Sequence, residues 1–184
     1  MSEREHDIAV IGAGMVGAAL ALACAAGGWR VAVIEPSAPA QPAGDSDPDL
    51  RVSALSAGSE AWLRELGVWP AMEGMRMAPF KRLAVWEAAS GPLASMPGGR
   101  LLAQQARTEF NAARLGRDHL GHIVENGVTR WALWERMGQQ SGITRFCPAS
   151  LQALEQTDDG VTLTLEGGET LHVALVVGAD GANS

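Results

Sequence analysis

Gly12, Gly14 and Gly17 stand as G-x-G-x-x-G in the stretch IAVIGAGMVGAALALA, and Glu35 follows 18 residues after the last of them. That spacing is suited to holding a dinucleotide. Gly12 allows a sharp turn out of a strand, Gly14 lets the backbone approach a pyrophosphate with no Cβ in the way, and Gly17 lets a helix sit close on a strand. The helix N-terminus then offers unpaired N–H groups and a partial positive charge to phosphates. A carboxylate at Glu35 can accept hydrogen bonds from both hydroxyls of an adenosine ribose and repels a 2′-phosphate, which disfavours NADP at this site. The motif does not separate FAD from NAD, because both carry the same ADP half. Arg51 alone reads as a surface arginine; beside such a site it becomes a candidate phosphate or ribose clamp.

Other reactive residue types form weaker patterns. The cysteines, Cys24 and Cys147, lack CxxC spacing and suit a reduced, cytoplasmic compartment. Among the four histidines only His119 and His122 are close in sequence, and no nearby Cys or Glu completes a ligand set. The expectation is no metal site, with both as solvated loop side chains. A net charge of −7 opposes a nucleic-acid partner. At 184 residues and 47% apolar composition, the chain can bury one sizeable core.

The elements that must position these residues read as a βαβ unit. Ile8 to Ile11 and Val31 to Ile34 are short apolar strands, and Met15 to Ala26 is an Ala- and Leu-rich helix stopped by Gly27 and Gly28. The stretch Ile8 to Gly28 carries no charge and is long enough to span a bilayer. Its Ala and Gly content and its acidic flank oppose that reading. Pro36 to Asp49 reads as a loop with solvated acids. In RVSALSAGSEAWLRELGVW, Ser53 is the expected N-cap of a helix whose Leu55, Trp62, Leu63 and Leu66 share a face, with Gly67 as its stop. Phe80 to Ala88 reads as one strand and Ser90 to Arg100 as a loop. HIVENGVTRWALWERM reads as a strand leading into a helix capped by Asn126, with Trp131 and Trp134 as packing residues. Ile143 to Phe146 is a further strand. A period-two pattern with turns at Asp159-Gly160 and Gly167-Gly168 predicts an antiparallel meander. Leu175 to Gly178 then reads as a strand buried on both faces, followed by a turn at Asp180-Gly181.

This order, together with the sequences IAVIGAGMVGAALALACAAGGWRVAVIE, RVSALSAGSEAWLRELGVW, PFKRLAVWEA, FNAARLG, LGHIVENGVTRWAL and VVGADGANS, resembles the N-terminal part of the flavin-dependent aromatic hydroxylases. The nearer resemblance is to the hydroxylases of ubiquinone biosynthesis. It implies an α/β fold: a Rossmann-like FAD-binding domain with a parallel central sheet, an antiparallel β-meander crossover and part of a substrate-binding sheet. It also implies that residues 1–184 are the N-terminal portion of the FAD-binding domain, with partial substrate-domain strands at about 76–124 and the remainder of a longer enzyme absent. The family's Asp-Gly motif continues to an arginine, and a later Gly-Asp motif follows; neither is present here. An incomplete sheet would expose apolar surface and favour self-association.

By the same resemblance, Gly12, Gly14, Gly17, Glu35 and Arg51 hold FAD, Glu125 and Asn126 lie where the next helix begins near the flavin, and Asp180 and Gly181 sit beside the flavin. Catalytic residues are not assigned. Asn111 stands where the family pattern has Asp. The implied reaction is hydroxylation of a polyprenyl phenol-type precursor with molecular oxygen, FAD as cofactor and NAD(P)H as transient electron donor. The implied partners are a hydrophobic phenolic substrate, with peripheral contact at the inner face of the membrane, a biosynthetic complex and a homo-oligomer left open. Two other readings stand beside it: an NAD-dependent dehydrogenase, and a nucleotide-binding fragment that turns nothing over.

Overall fold

A computed structural model describes residues 5–44, 47–86 and 107–181. Its centre is a parallel sheet of four strands in the order β12-β1-β2-β8, formed by β1 (Ile8–Ile11), β2 (Val31–Ile34), β8 (Ile143–Phe146) and β12 (Leu175–Gly178). Helix α1 (Met15–Ala26) makes the crossover from β1 to β2. The charge-free stretch is therefore strand, turn and helix, and no helix among the described residues is long and apolar enough to cross a membrane.

Strand alternation divides the core in two. Ile8, Val10, Val31 and Val33 face one way, onto α1 and onto α4 (Asn126–Gly138), whose Val128, Ala132, Leu133 and Met137 are buried. Ala9, Ala32 and Ile34 face the other way, onto Leu163, Leu165, Leu171 and Val173. These belong to the antiparallel meander β9 (Leu151–Thr157), β10 (Gly160–Leu165) and β11 (Thr170–Val173). Cover on both faces explains why β1 and β2 are continuous apolar runs. Trp134 is buried and Trp131 packs against the same core, as expected of packing residues.

A second sheet, order β3-β7-β4, is antiparallel and consists of β3 (Val52–Ser56), β4 (Met77–Phe80) and β7 (Gly121–Glu125). Between β3 and β4 lie α2 (Ala57–Glu65) and α3 (Trp69–Glu73). A ribbon of β5 (Arg82–Val85) and β6 (Thr108–Asn111) completes the described strands.

Four expectations are corrected here. Val52 to Ser56 is a strand, so the cap of α2 is Ser56, whose Oγ accepts from the Ser59 N–H at 3.2 Å, and not Ser53. Phe80 to Ala88 is not one strand: the chain leaves β4 at Phe80 and enters the ribbon at Arg82, while Ala88 and the Ser90 to Arg100 loop lie outside the described residues. Asn126 is the first residue of α4 and makes no side-chain cap; its Oδ1 accepts from the Ser53 hydroxyl at 2.6 Å. Strand β12 is not buried on both faces. Among the described residues it sits at the sheet edge with one neighbour, β1, and its Leu175 is exposed.

Candidate functional site

The strands β1, β2 and β12 run parallel, so their carboxyl ends open at one edge, where ligands of open α/β sheets bind. A cavity of about 910 Å³ lies there. It is lined by Gly12, Gly14, Glu35, Arg51, Asn126, Asp180 and Gly181, so seven of the nine residues singled out from the sequence meet in one place. The volume falls within the roughly 300–1,000 Å³ usual for small-molecule sites.

The glycine turn is built by close backbone approach. Gly12 has φ +99°, and a Cβ there would lie 2.5 Å from the Ala179 carbonyl oxygen, just after β12. Gly17 does not line the cavity; a Cβ on it would collide with the Gly12 carbonyl and reach the Ala179 methyl at 3.0 Å. Gly14 is different. Its φ is ordinary at −64°, and a Cβ on it would meet nothing within 4 Å. The space over Gly14 is open to a ligand, and α1 begins there with no side-chain cap and no acid in its first turn. Its first N–H groups face no competing carboxylate of their own helix, an arrangement that suits a pyrophosphate.

Glu35 is buried at the end of β2, and its Oε2 accepts from the Ala13 N–H at 2.6 Å. The Ser37 N–H reaches Oε1 only at 3.4 Å, which leaves that oxygen with capacity for a ribose hydroxyl. The Arg51 backbone is fixed on both sides: its N–H donates to Asp49 Oδ1 and its carbonyl accepts from the Asn126 N–H, each at 2.9 Å.

Glu125 stays outside the cavity lining. It is buried and accepts from the Asp49 N–H at 2.9 Å and from Arg76 at 2.8 and 3.1 Å. The Asp49 N–H, and then Arg76, hold its carboxyl below its ordinary value against the opposing effect of burial. Glu125 therefore ties the Asp49–Arg51 segment to the second sheet. Asp49 is not merely a solvated loop acid, since it lines the cavity and folds its own segment through Arg51. Asn111 caps the 3-10 turn Ala112–Leu115 through its Oδ1, which accepts from the Ala113 N–H at 3.0 Å. An amide oxygen does there what a carboxylate oxygen would do.

The sequence reading missed Arg130. It stands one turn after Asn126 on α4, lines the cavity, and its buried Nε has no hydrogen-bond partner. The i, i+4 spacing of Asn126 and Arg130 was the available signal. It also missed that His122 lies in β7 and that His119, in the loop before β7, sits with it against Glu60, so neither side chain is simply solvated.

A family model described as FAD binding domain matches residues 5–184. The chain is 43% identical over 184 residues to 3-demethoxyubiquinol 3-hydroxylase of Escherichia coli (strain K12), covering 100% of this chain and 43% of that protein. It is 31% identical over 183 residues to ubiquinone hydroxylase UbiL of Rhodospirillum rubrum, covering 100% of this chain and 39% of that protein. The crystal structure of p-nitrophenol 4-monooxygenase PnpA from Pseudomonas putida is similar in fold, with a TM-score of 0.68 at 20% identity over 100% of this chain and 42% of that one. The chain thus spans less than half the length of the curated relatives it matches.

Proposed function

The chain belongs to the FAD binding domain family, and from that membership we propose that it is the flavin-holding part of a monooxygenase that hydroxylates a polyprenyl phenol-type precursor of ubiquinone, with NAD(P)H and molecular oxygen as co-substrates. The observation that carries this reading is the convergence of the Gly12–Gly14 turn, Glu35 and Asp180–Gly181 on one cavity at the carboxyl ends of β1, β2 and β12. The relatives at 43% and 31% identity, both ubiquinone-pathway hydroxylases by name, support the substrate class.

In this reading the open space over Gly14 and the start of α1 take the pyrophosphate, and Glu35 takes the ribose hydroxyls. Arg51 and Arg130 supply positive charge to the phosphates, and Asp180 and Gly181 border the flavin end. Gly17 and Glu125 act through others: Gly17 seats α1 on the turn, and Glu125 holds the Asp49–Arg51 segment in place. Bound FAD supplies the electron-transfer and oxygen-transfer chemistry.

Residues 1–184 are proposed as the N-terminal portion of the FAD-binding domain, with β4 to β7 as the first strands of a substrate-binding sheet. Leu83 and Phe110, opposite each other across the β5-β6 ribbon, are exposed and apolar. They suit contact with a greasy phenol, the membrane surface or a second subunit.

The test is a hydroxylation assay on the polypeptide that carries this domain, with a polyprenyl phenol, NAD(P)H and oxygen. The expected result is NAD(P)H oxidation coupled to a product heavier by one oxygen atom. NAD-dependent oxidation of an alcohol with no oxygen uptake would overturn the reading in favour of a dehydrogenase.

A further inference from the structure

Away from the nucleotide cavity, the carboxylate of Glu60 meets two imidazoles. Glu60 Oε2 lies 2.8 Å from His119 Nε2 and 3.1 Å from His122 Nδ1, and one ligand atom from each residue falls within 4.8 Å of the other two. None of the three lines the cavity. We propose that Glu60, His119 and His122 form a binding site for one divalent transition-metal ion, with zinc the ion that the donor set fits best.

The first argument is chemical. Two imidazole nitrogens and one carboxylate oxygen form a borderline donor set that suits zinc and its first-row neighbours, and it is poor for magnesium or calcium, which take oxygen. The second is spacing. Ligand atoms around a tetrahedral zinc lie about 3.3 Å apart, given bonds of roughly 2.0–2.1 Å. The two carboxylate-to-imidazole separations are close to this. The remaining adjustment falls on His119, whose side chain is the most exposed of the three.

The third argument is the state of His122. Its Nδ1 is buried and, although Glu60 Oε2 is near, it makes no hydrogen bond of acceptable direction. Buried ring nitrogens are seldom left unpartnered. A metal on the Glu60 side would satisfy this nitrogen.

The support is rigid. His122 lies in β7, paired with Leu55 of β3 on one side and Pro79 of β4 on the other. Its ring meets Trp69 edge-on at 5.2 Å. Arg64 donates to Glu60 Oε1 at 3.0 and 3.1 Å, which orients the carboxylate and leaves Oε2 as the single ligand oxygen. Such an outer contact to a ligating carboxylate is usual in metal sites. Three protein ligands and the exposed side of His119 leave a fourth position for water. The ion would lock α2, β7 and the segment before β7 together.

The test is a titration of the chelator-stripped full chain with zinc chloride against a chromophoric competitor, read alongside thermal melting. One zinc per chain and a rise in melting temperature are expected. His119→Ala removes the most exposed ligand with least risk to folding, and Glu60→Gln is the second variant. Each should weaken zinc binding at least about tenfold, since loss of even an outer-shell partner typically costs roughly 10- to 100-fold. His6→Ala, a histidine outside the cluster, should leave zinc binding unchanged. Absence of stoichiometric binding, or binding unaltered by His119→Ala, would overturn the site and leave Glu60 as a carboxylate paired with two histidines.

Discussion

Glu35 Oε2 accepts a hydrogen bond from the Ala13 N–H at 2.6 Å, so the acid that closes the second strand also clasps the glycine turn that follows the first. One carboxylate thus serves the fold with one oxygen and faces the cavity with capacity to spare. Glu35→Gln keeps an acceptor for Ala13 and should fold normally. It loses a charge-assisted bond to a ribose, worth about 1.5–3 kcal/mol, so FAD affinity should fall roughly 10- to 100-fold. Glu35→Ala also orphans the Ala13 N–H and should lower stability as well. Parallel FAD titrations and urea melts separate the two effects.

Gly12 and Gly14 should part company on substitution. Gly12→Ala meets the Ala179 carbonyl at a positive φ, which costs about 1–3 kcal/mol in backbone strain before the clash is counted. Gly14→Ala has an ordinary φ and no protein neighbour within 4 Å, so it should cost no more than the roughly 1 kcal/mol of exchanging a glycine N-cap for alanine. If the pyrophosphate sits over Gly14, that stable variant binds FAD poorly. Unchanged FAD affinity in Gly14→Ala would place the phosphates elsewhere.

Arg130 carries a buried Nε with no partner, and it lines the cavity beside Asn126. Replacing it with Met removes an orphaned donor, and stability should hold within about 0.5 kcal/mol. FAD affinity should drop roughly tenfold or more if the guanidinium meets a phosphate, and binding should become less sensitive to salt. Isothermal titration at two ionic strengths reads both changes.

Two of the groups through which stability falls with acid have separate origins. Burial holds His6 below its ordinary value of 6.5. The side chain and backbone of Arg30 hold Asp7 down from 3.8 to about 2. Both groups bind protons less readily when folded, so each stabilises fully above its unfolded value and loses that contribution as pH falls through its folded value. His6 acts below pH 6.5, and Asp7 between 3.8 and about 2. In urea midpoints measured against pH, His6→Gln should flatten the curve in the first range and Asp7→Asn in the second.

The βαβ unit was legible because its signals agree. Apolar runs, the three glycines, an Ala-rich helix and Glu35 all specify the same crossover. The meander was legible from strict alternation and glycine turns. Val52 to Ser56 was not, because Ala54 and Leu55 favour helices and its burial depends on β7, nearly 70 residues later. The exposure of Leu175 follows from the position of β12 at the sheet edge, which its composition does not encode.

Glu60 and His119 are 59 residues apart, so no spacing rule could join them. In sequence Arg130 is one more polar residue on an amphipathic helix, and only the packing of α4 brings it to the cavity. Glu125 is expected only as a residue where the next helix begins near the flavin, and no spacing rule points to its protein partners. Its actual partners, Asp49 and Arg76, come from two other segments.

The cavity at the carboxyl ends of β1, β2 and β12 is proposed to hold FAD. The most direct measurement is a titration of the purified 184-residue chain with FAD, read by the visible flavin spectrum and fluorescence, with NAD and the Gly14→Ala variant run in parallel. Saturable FAD binding that perturbs the flavin spectrum is expected, with weaker binding in Gly14→Ala and no comparable response to NAD. Tight NAD binding with no spectral change on adding FAD would contradict the proposal.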